Sequence, residues 1–163
     1  MNQLIANLIL NTIIFFLAYQ WLLKPRLSQL NASVVLMCIL LLHSMRHLGL
    51  MFLANGVVQP GMPLQFAVPS AAGDFLAATL AIIAATLIRR KSSLAIPMTW
   101  VFTVVGSLDF LMAITLSRIF KAGDFLGAAY WIPAFWVPML MVGHLIIFDV
   151  LRMIQRKRLS LGN

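Results

Sequence analysis

Glutamate is absent from this chain of 163 residues, and aspartate occurs only four times. Charged residues make up 10% of the sequence and hydrophobic residues 62%. A water-soluble domain of this length needs a polar shell that such a composition does not supply. No polar stretch exceeds about a dozen residues, so no separate soluble domain is expected. Cys38 is the single cysteine and sits in an apolar run, which excludes an internal disulfide. Several catalytic signatures are also missing: a glycine-rich phosphate loop, a G-x-S-x-G elbow, an aspartate pair for prenyl diphosphate metals, and C-x-x-C-H for covalent haem. No lysine lies within an apolar run, so no retinal Schiff base is available there. Each absence removes a reaction class, and binding or transport is expected ahead of catalysis.

What the chain does have is long apolar runs. Crossing about 30 Å of hydrocarbon takes roughly 20 apolar residues in a helix. Five runs qualify, at about 4–23, 34–54, 72–89, 94–117 and 130–151. The fold class expected is therefore all-α: a polytopic helical bundle of five transmembrane helices in one domain. The first run lacks a basic leader and a small-residue cleavage site, and reads as a retained span. The formal net charge is +8. Its cations flank the spans, which fits anionic lipid headgroups and no nucleic acid. Lys24 and Arg26 fill the first connection, Arg89, Arg90 and Lys91 the third, and Arg152, Arg156, Lys157 and Arg158 the tail 152–163. Basic loops stay cytoplasmic, so the N-terminus is expected outside and the C-terminus inside a bacterial inner membrane.

The pentapeptide AGDFL occurs at 72–76 and again at 122–126. Both copies precede a segment entering from the outer side. Glycine breaks the preceding structure, and aspartate suits a helix N-terminus. The two copies therefore read as helix starts, with Asp74 and Asp124 at an outer entrance. The connection 55–71 is apolar and rich in proline, and reads either as a hydrophobic lid or as an irregular segment among headgroups. Small residues at Gly73, Ala77, Ala81 and Ala85 form a seam for close helix packing. Asn7 and Asn11 read as hydrogen-bonding residues toward a neighbouring helix, and Asp149 as a local partner of Arg152. Pro138 should kink span 5 and free a backbone carbonyl.

Ionisable groups in hydrocarbon cost several kcal/mol unless paired, so each is a candidate site residue. Span 2 carries His43, Arg46 and His47, span 4 carries Asp109 and span 5 carries His144. On an α-helix His43, Arg46 and His47 share one face. Arg46 and Asp109 lie at similar depth and are expected to pair, with Gly106 and Ala113 giving room beside Asp109. His43 falls near the midplane and His144 slightly inward.

Three readings follow. In the first, Arg46 and Asp109 form a charge pair that binds or passes a small polar or amphipathic solute, with His43, His47 and His144 carrying protons. In the second, His43, His47 and His144 are ligands to haem or a transition metal in an electron carrier. In the third, the bundle is a non-catalytic accessory or assembly protein. A single bundle is narrow for transport, so a homo-oligomer or partner membrane helices are expected beside the lipid bilayer.

Overall fold

The computed structural model describes residues 3–161, with side chains through Arg156. Lys157 and Arg158 of the basic tail lie outside the described side chains. Five helices are long and apolar enough to cross a membrane. Helix α1 (Gln3–Ala18) runs on through a π turn, Tyr19–Leu23, and a 3-10 turn, Lys24–Arg26. Helix α2 (Ala32–Ser44) starts at Asn31, whose side chain accepts from the backbone N–H groups of Ser33 and Val34. It continues as a 3-10 helix over Met45–Leu53. Helices α3 (Leu64–Arg89) and α4 (Ala95–Ile119) follow, then short 3-10 turns at Ala122–Phe125 and Gly127–Tyr130. A π turn, Ile132–Trp136, leads into α5 (Val137–Leu161). No strand occurs among the described residues.

Helices α2, α3, α4 and α5 form a ring, with α2 and α4 on either side of α3 and α5 closing against α2 and α4. Helix α1 packs on the outside of α5. Its most apolar window is only 6% buried, against 56% for the last span, so α1 is peripheral. The seam expected on α3 is present. Ala77, Ala81 and Ala85 are buried in the main core with Leu36, Leu40, Phe102 and Ile147. Lipid-like solvent does not drive helices together, and small side chains substitute close backbone approach for that missing drive.

The start of α3 differs from expectation. The helix begins at Leu64, not near residue 72. Pro63 stands just before the first turn, and Pro69 lies within the second, where its missing N–H removes one hydrogen bond without ending the helix. The proline-rich composition had suggested loop over this stretch. Consequently the first AGDFL copy is mid-helix, whereas the second forms the 3-10 turn Ala122–Phe125. The two are not equivalent helix starts.

The shortened connection before α3 packs on the segment between α4 and α5. The Gln59 N–H donates to the Phe125 carbonyl at 2.9 Å, and the Ala128 N–H to the Val57 carbonyl at 2.8 Å. Gly127, at φ +52°, lies against the Val57 carbonyl where a Cβ would collide. Phe52, Phe66, Leu126 and Ile132 fill the space beneath. The result is an apolar cap at the end where α1, α3 and α5 begin, called here the upper end. The opposite, lower end holds Lys24, Arg26, Arg89, Arg90, Lys91, Arg152 and Arg156.

Asn7 and Asn11 tie α1 to the start of the last span. Asn7 donates to the Tyr130 hydroxyl and Asn11 to the Ala134 carbonyl, each at 2.7 Å. Residue 134 is four before Pro138, so its carbonyl lacks an α-helical donor, and Asn11 supplies one. At the lower end the Tyr19 hydroxyl donates to the Asp149 carboxylate. Arg152 stacks on Phe148 and is not the partner of Asp149. Replacing Asn11 with alanine should lower stability in detergent by about 1 kcal/mol. The loss should shrink in a Pro138→Ala background, where residue 138 recovers its N–H. Equal losses in both backgrounds, measured by reversible unfolding, would show that Asn11 does not serve that carbonyl.

Candidate functional site

Arg46 stands in line with His43 in the middle of the ring because α2 changes its winding. From Met45 onward the chain is 3-10, with three residues per turn, so side chains three apart are eclipsed. His43, Arg46, Gly49 and Phe52 are spaced by three, and all four are buried. His47, four residues after His43, is rotated off this line and exposed. Its Nδ1 lies 3.0 Å from the Ser44 carbonyl. The expected shared face of His43, Arg46 and His47 held for an α-helix; the tighter winding keeps Arg46 and removes His47 from the site.

The Arg46 guanidinium is engaged at all three nitrogens. Its Nε donates to Asp74 Oδ1 at 2.9 Å, its Nη1 to the Gly106 carbonyl at 3.1 Å, and its Nη2 to Asp109 Oδ2. Phe110 lies beneath it, with the guanidinium carbon 3.9 Å from the ring centroid. The arginine side chain is fully buried, Asp109 is 6% exposed and Asp74 15%. Arg46 therefore joins α2, α3 and α4. Asp74, expected at an outer entrance, belongs to this central cluster instead. Asp124 is exposed in the turn after α4 and takes no part.

The two remaining histidines complete the cluster. The His43 and His144 rings are in contact, with centroids 4.4 Å apart. Phe102 stacks on His144 at 5.2 Å, and Phe110 meets its edge at 5.6 Å. Both ring nitrogens of His43 and His144, and Oδ1 of Asp109, have no hydrogen-bond partner among the described residues.

Glycine makes room for every member of this group. A Cβ on Gly73 would fall on Asp109 Oδ1, and one on Gly49 on the Asp74 carboxylate. On Gly106 it would stand 3.0 Å from both Arg46 Nη1 and His144 Nε2, and on Gly143 2.7 Å from His43 Nε2. Of these four, only Gly106 and Gly73 stand out in the sequence, the first as a neighbour of Asp109 and the second on the small-residue seam. Phe102 and Phe110 were not legible as site residues, since buried phenylalanine is ordinary in an apolar helix.

A groove of about 340 Å³ opens onto Asp74 from the upper end, between α1, α4 and the start of the last span. Leu8, Phe66, Phe110, Ile114 and Ile132 line it, with Ser117 and Arg118 at its upper end. That volume falls within the range of about 300–1,000 Å³ usual for small-molecule sites. Asp74 is its one carboxylate.

The metal reading fares poorly against this geometry. His47 faces away, while His43 and His144 touch each other, leaving no slot between them for a porphyrin. No group of three or more His, Cys, Asp or Glu side chains among the described residues is arranged to hold a metal ion.

Residues 3–152 match a family described as a domain of unknown function, DUF8737. The chain belongs to that family. The DUF8737 match reaches from the start of α1 to Arg152 and so includes every member of the cluster. No curated protein and no solved structure matches the chain significantly.

Gly73→Ala should destabilise the protein by about 1–3 kcal/mol, because α3 and α4 must separate or Asp109 must leave its position. Gly123→Ala, whose Cβ would make an ordinary 3.5 Å contact with Leu4, should be close to neutral. Thermal unfolding of both variants in the same detergent checks the difference; equal midpoints would contradict the close approach.

Proposed function

We propose that this protein is an integral inner-membrane bundle that binds or passes a small amphipathic solute at the Arg46–Asp74–Asp109 cluster, coupled to movement of a proton. The observation that carries the reading is the imbalance of charge there. One guanidinium faces two carboxylates. With both carboxylates ionised the cluster holds one negative charge too many, in surroundings that penalise net charge strongly. A single proton, on a carboxylate or on the adjacent His43 or His144 ring, makes it neutral. A cationic head of a solute, reaching Asp74 along the groove, does the same. Proton and cation therefore compete for one charge, which is the physical requirement for exchanging them.

The groove supports an amphipathic solute, because its lining is mostly apolar, with the Asp74 carboxylate set apart from Ser117 and Arg118. Orientation follows from the cations. Seven described arginines and lysines lie at the lower end, against Arg118 and Lys121 at the upper. The positive-inside rule then puts the lower end in the cytoplasm and the groove mouth outside. Besides the lipid bilayer, a second copy or partner helices would find room on α1, whose Leu10 and Ile14 point outward.

A second reading has its own support. Every nitrogen of Arg46 is engaged, as in a clamp that only joins helices. That accessory role predicts no flux at all.

Proteoliposomes carrying a pH dye separate the two. The wild-type protein should pass protons against tetraphenylphosphonium, while Asp74→Asn and Asp109→Asn should slow the exchange at least about tenfold, a barrier change of about 1.4 kcal/mol. His47→Ala should leave it unchanged. Wild-type flux equal to that of empty liposomes, or a folded Asp74→Asn protein at full rate, would overturn the proposal.

A further inference from the structure

At the lower end, remote from the Arg46 cluster, the connection that follows α1 and the last turns of α5 enclose a cavity of about 280 Å³. Lys24, Ser28, Arg152 and Arg156 contribute its polar wall, with Leu27 and Met153 as apolar floor and Asp149 beside them. Positions 149, 152, 153 and 156 fall on one face of α5, which is why they converge. The cations are held in place from behind. The Arg152 guanidinium carbon lies 4.2 Å from the Phe148 ring centroid, and the Lys24 ammonium 5.9 Å from that of Tyr19.

None of the three makes an ion pair among the described residues, although a carboxylate stands in the same wall. Asp149 is instead engaged by the Tyr19 hydroxyl. Three cations and one carboxylate leave the wall with an excess of two positive charges. That is the complement of a phosphate group. The level is also that of lipid phosphates, since the first and last candidate spans end at Arg26 and Arg156. Trp21, 70% exposed and one turn before Lys24, has the amphipathic ring that settles at the headgroup boundary.

We propose that this cavity is a binding site for the phosphate headgroup of an anionic glycerophospholipid, with Lys24, Arg152 and Arg156 as its ligands and Ser28 as a hydroxyl donor. The glycerol and first acyl carbons rest on Leu27 and Met153. Free phosphate esters share this chemistry; the apolar floor and the interfacial depth favour the lipid. The site depends on the membrane assignment and is independent of any activity at Asp74.

The test is native mass spectrometry of the full chain in mild detergent, titrated with phosphatidylglycerol and with phosphatidylcholine. The wild-type protein should retain one phosphatidylglycerol in preference to phosphatidylcholine. Arg152→Gln/Arg156→Gln should weaken phosphatidylglycerol retention by about tenfold or more. Arg89→Gln/Arg90→Gln removes the same charge from the same end, but from exposed positions outside the lining of this cavity, and should retain the lipid as the parent does. Arg156→Gln alone guards against misfolding, because this exposed side chain makes no ion pair among the described residues. It should give a partial loss with an unchanged unfolding midpoint. Absence of a preference in the wild type, or equal losses in the two double variants, would overturn the site. Displacement of the lipid by soluble glycerol phosphate would overturn the lipid as its ligand.

Discussion

Among the described residues, His43, Asp74, Asp109 and His144 enter the middle of the ring and gather around the Arg46 guanidinium, and the rest of the architecture can be understood as what that gathering requires. A lone arginine in hydrocarbon costs several kcal/mol, and two lone aspartates cost more. Bringing them together from α2, α3 and α4 removes most of that cost and joins three helices at one point. It also demands close backbones. A guanidinium, two carboxylates and two imidazoles fill the space that ordinary side chains would take, so the facing positions on four helices are glycine. Below the cluster the alanine seam on α3 keeps the same close spacing through an apolar core.

The winding of α2 belongs to the same constraint. A 3-10 stretch of nine residues is unusually long, since such helices rarely exceed three or four residues. Here it keeps His43, Arg46, Gly49 and Phe52 in one line facing α3. An α-helix would have carried Gly49 and Phe52 progressively round the cylinder and brought His47 inward. Arg46 would then compete with His47 for the same space. The tight winding, the fully engaged guanidinium and the excess carboxylate set the centre of this bundle apart from the apolar core below it. A bundle held together only by packing needs none of these.

Much of this was legible in the sequence, for physical reasons that can be named. Apolar length fixes spans well, and the five helices lie close to where hydropathy put them. Pairing of Arg46 with Asp109 follows from depth matching, because a buried charge needs a partner and few were available. That Asn7 and Asn11 bond a neighbouring segment was legible for the same reason. The first AGDFL copy was misread. Proline and glycine around it mimic a helix start, yet a proline in the second turn costs one hydrogen bond, and a glycine facing a carboxylate is there for space. That misreading put Asp74 at the surface and hid the second carboxylate. His47 was misplaced because three- and four-residue spacings are both compatible with one α-helical face, and nothing local announces a 3-10 winding. The Asp149–Arg152 pairing failed because a hydroxyl from another helix, Tyr19, is invisible to local spacing.

The central claim is that Arg46 and Asp109 meet inside the bundle and depend on each other there. A double-mutant cycle with Arg46→Met and Asp109→Leu, measured by reversible unfolding in bicelles, addresses it directly. Arg46→Met alone leaves two buried carboxylates without their cation, whereas removing Asp109 as well takes one of them away and relieves much of that penalty. A coupling energy of about 2–3 kcal/mol is the predicted result. Coupling within about 0.5 kcal/mol of zero, no larger than for distant independent sites, would contradict the account.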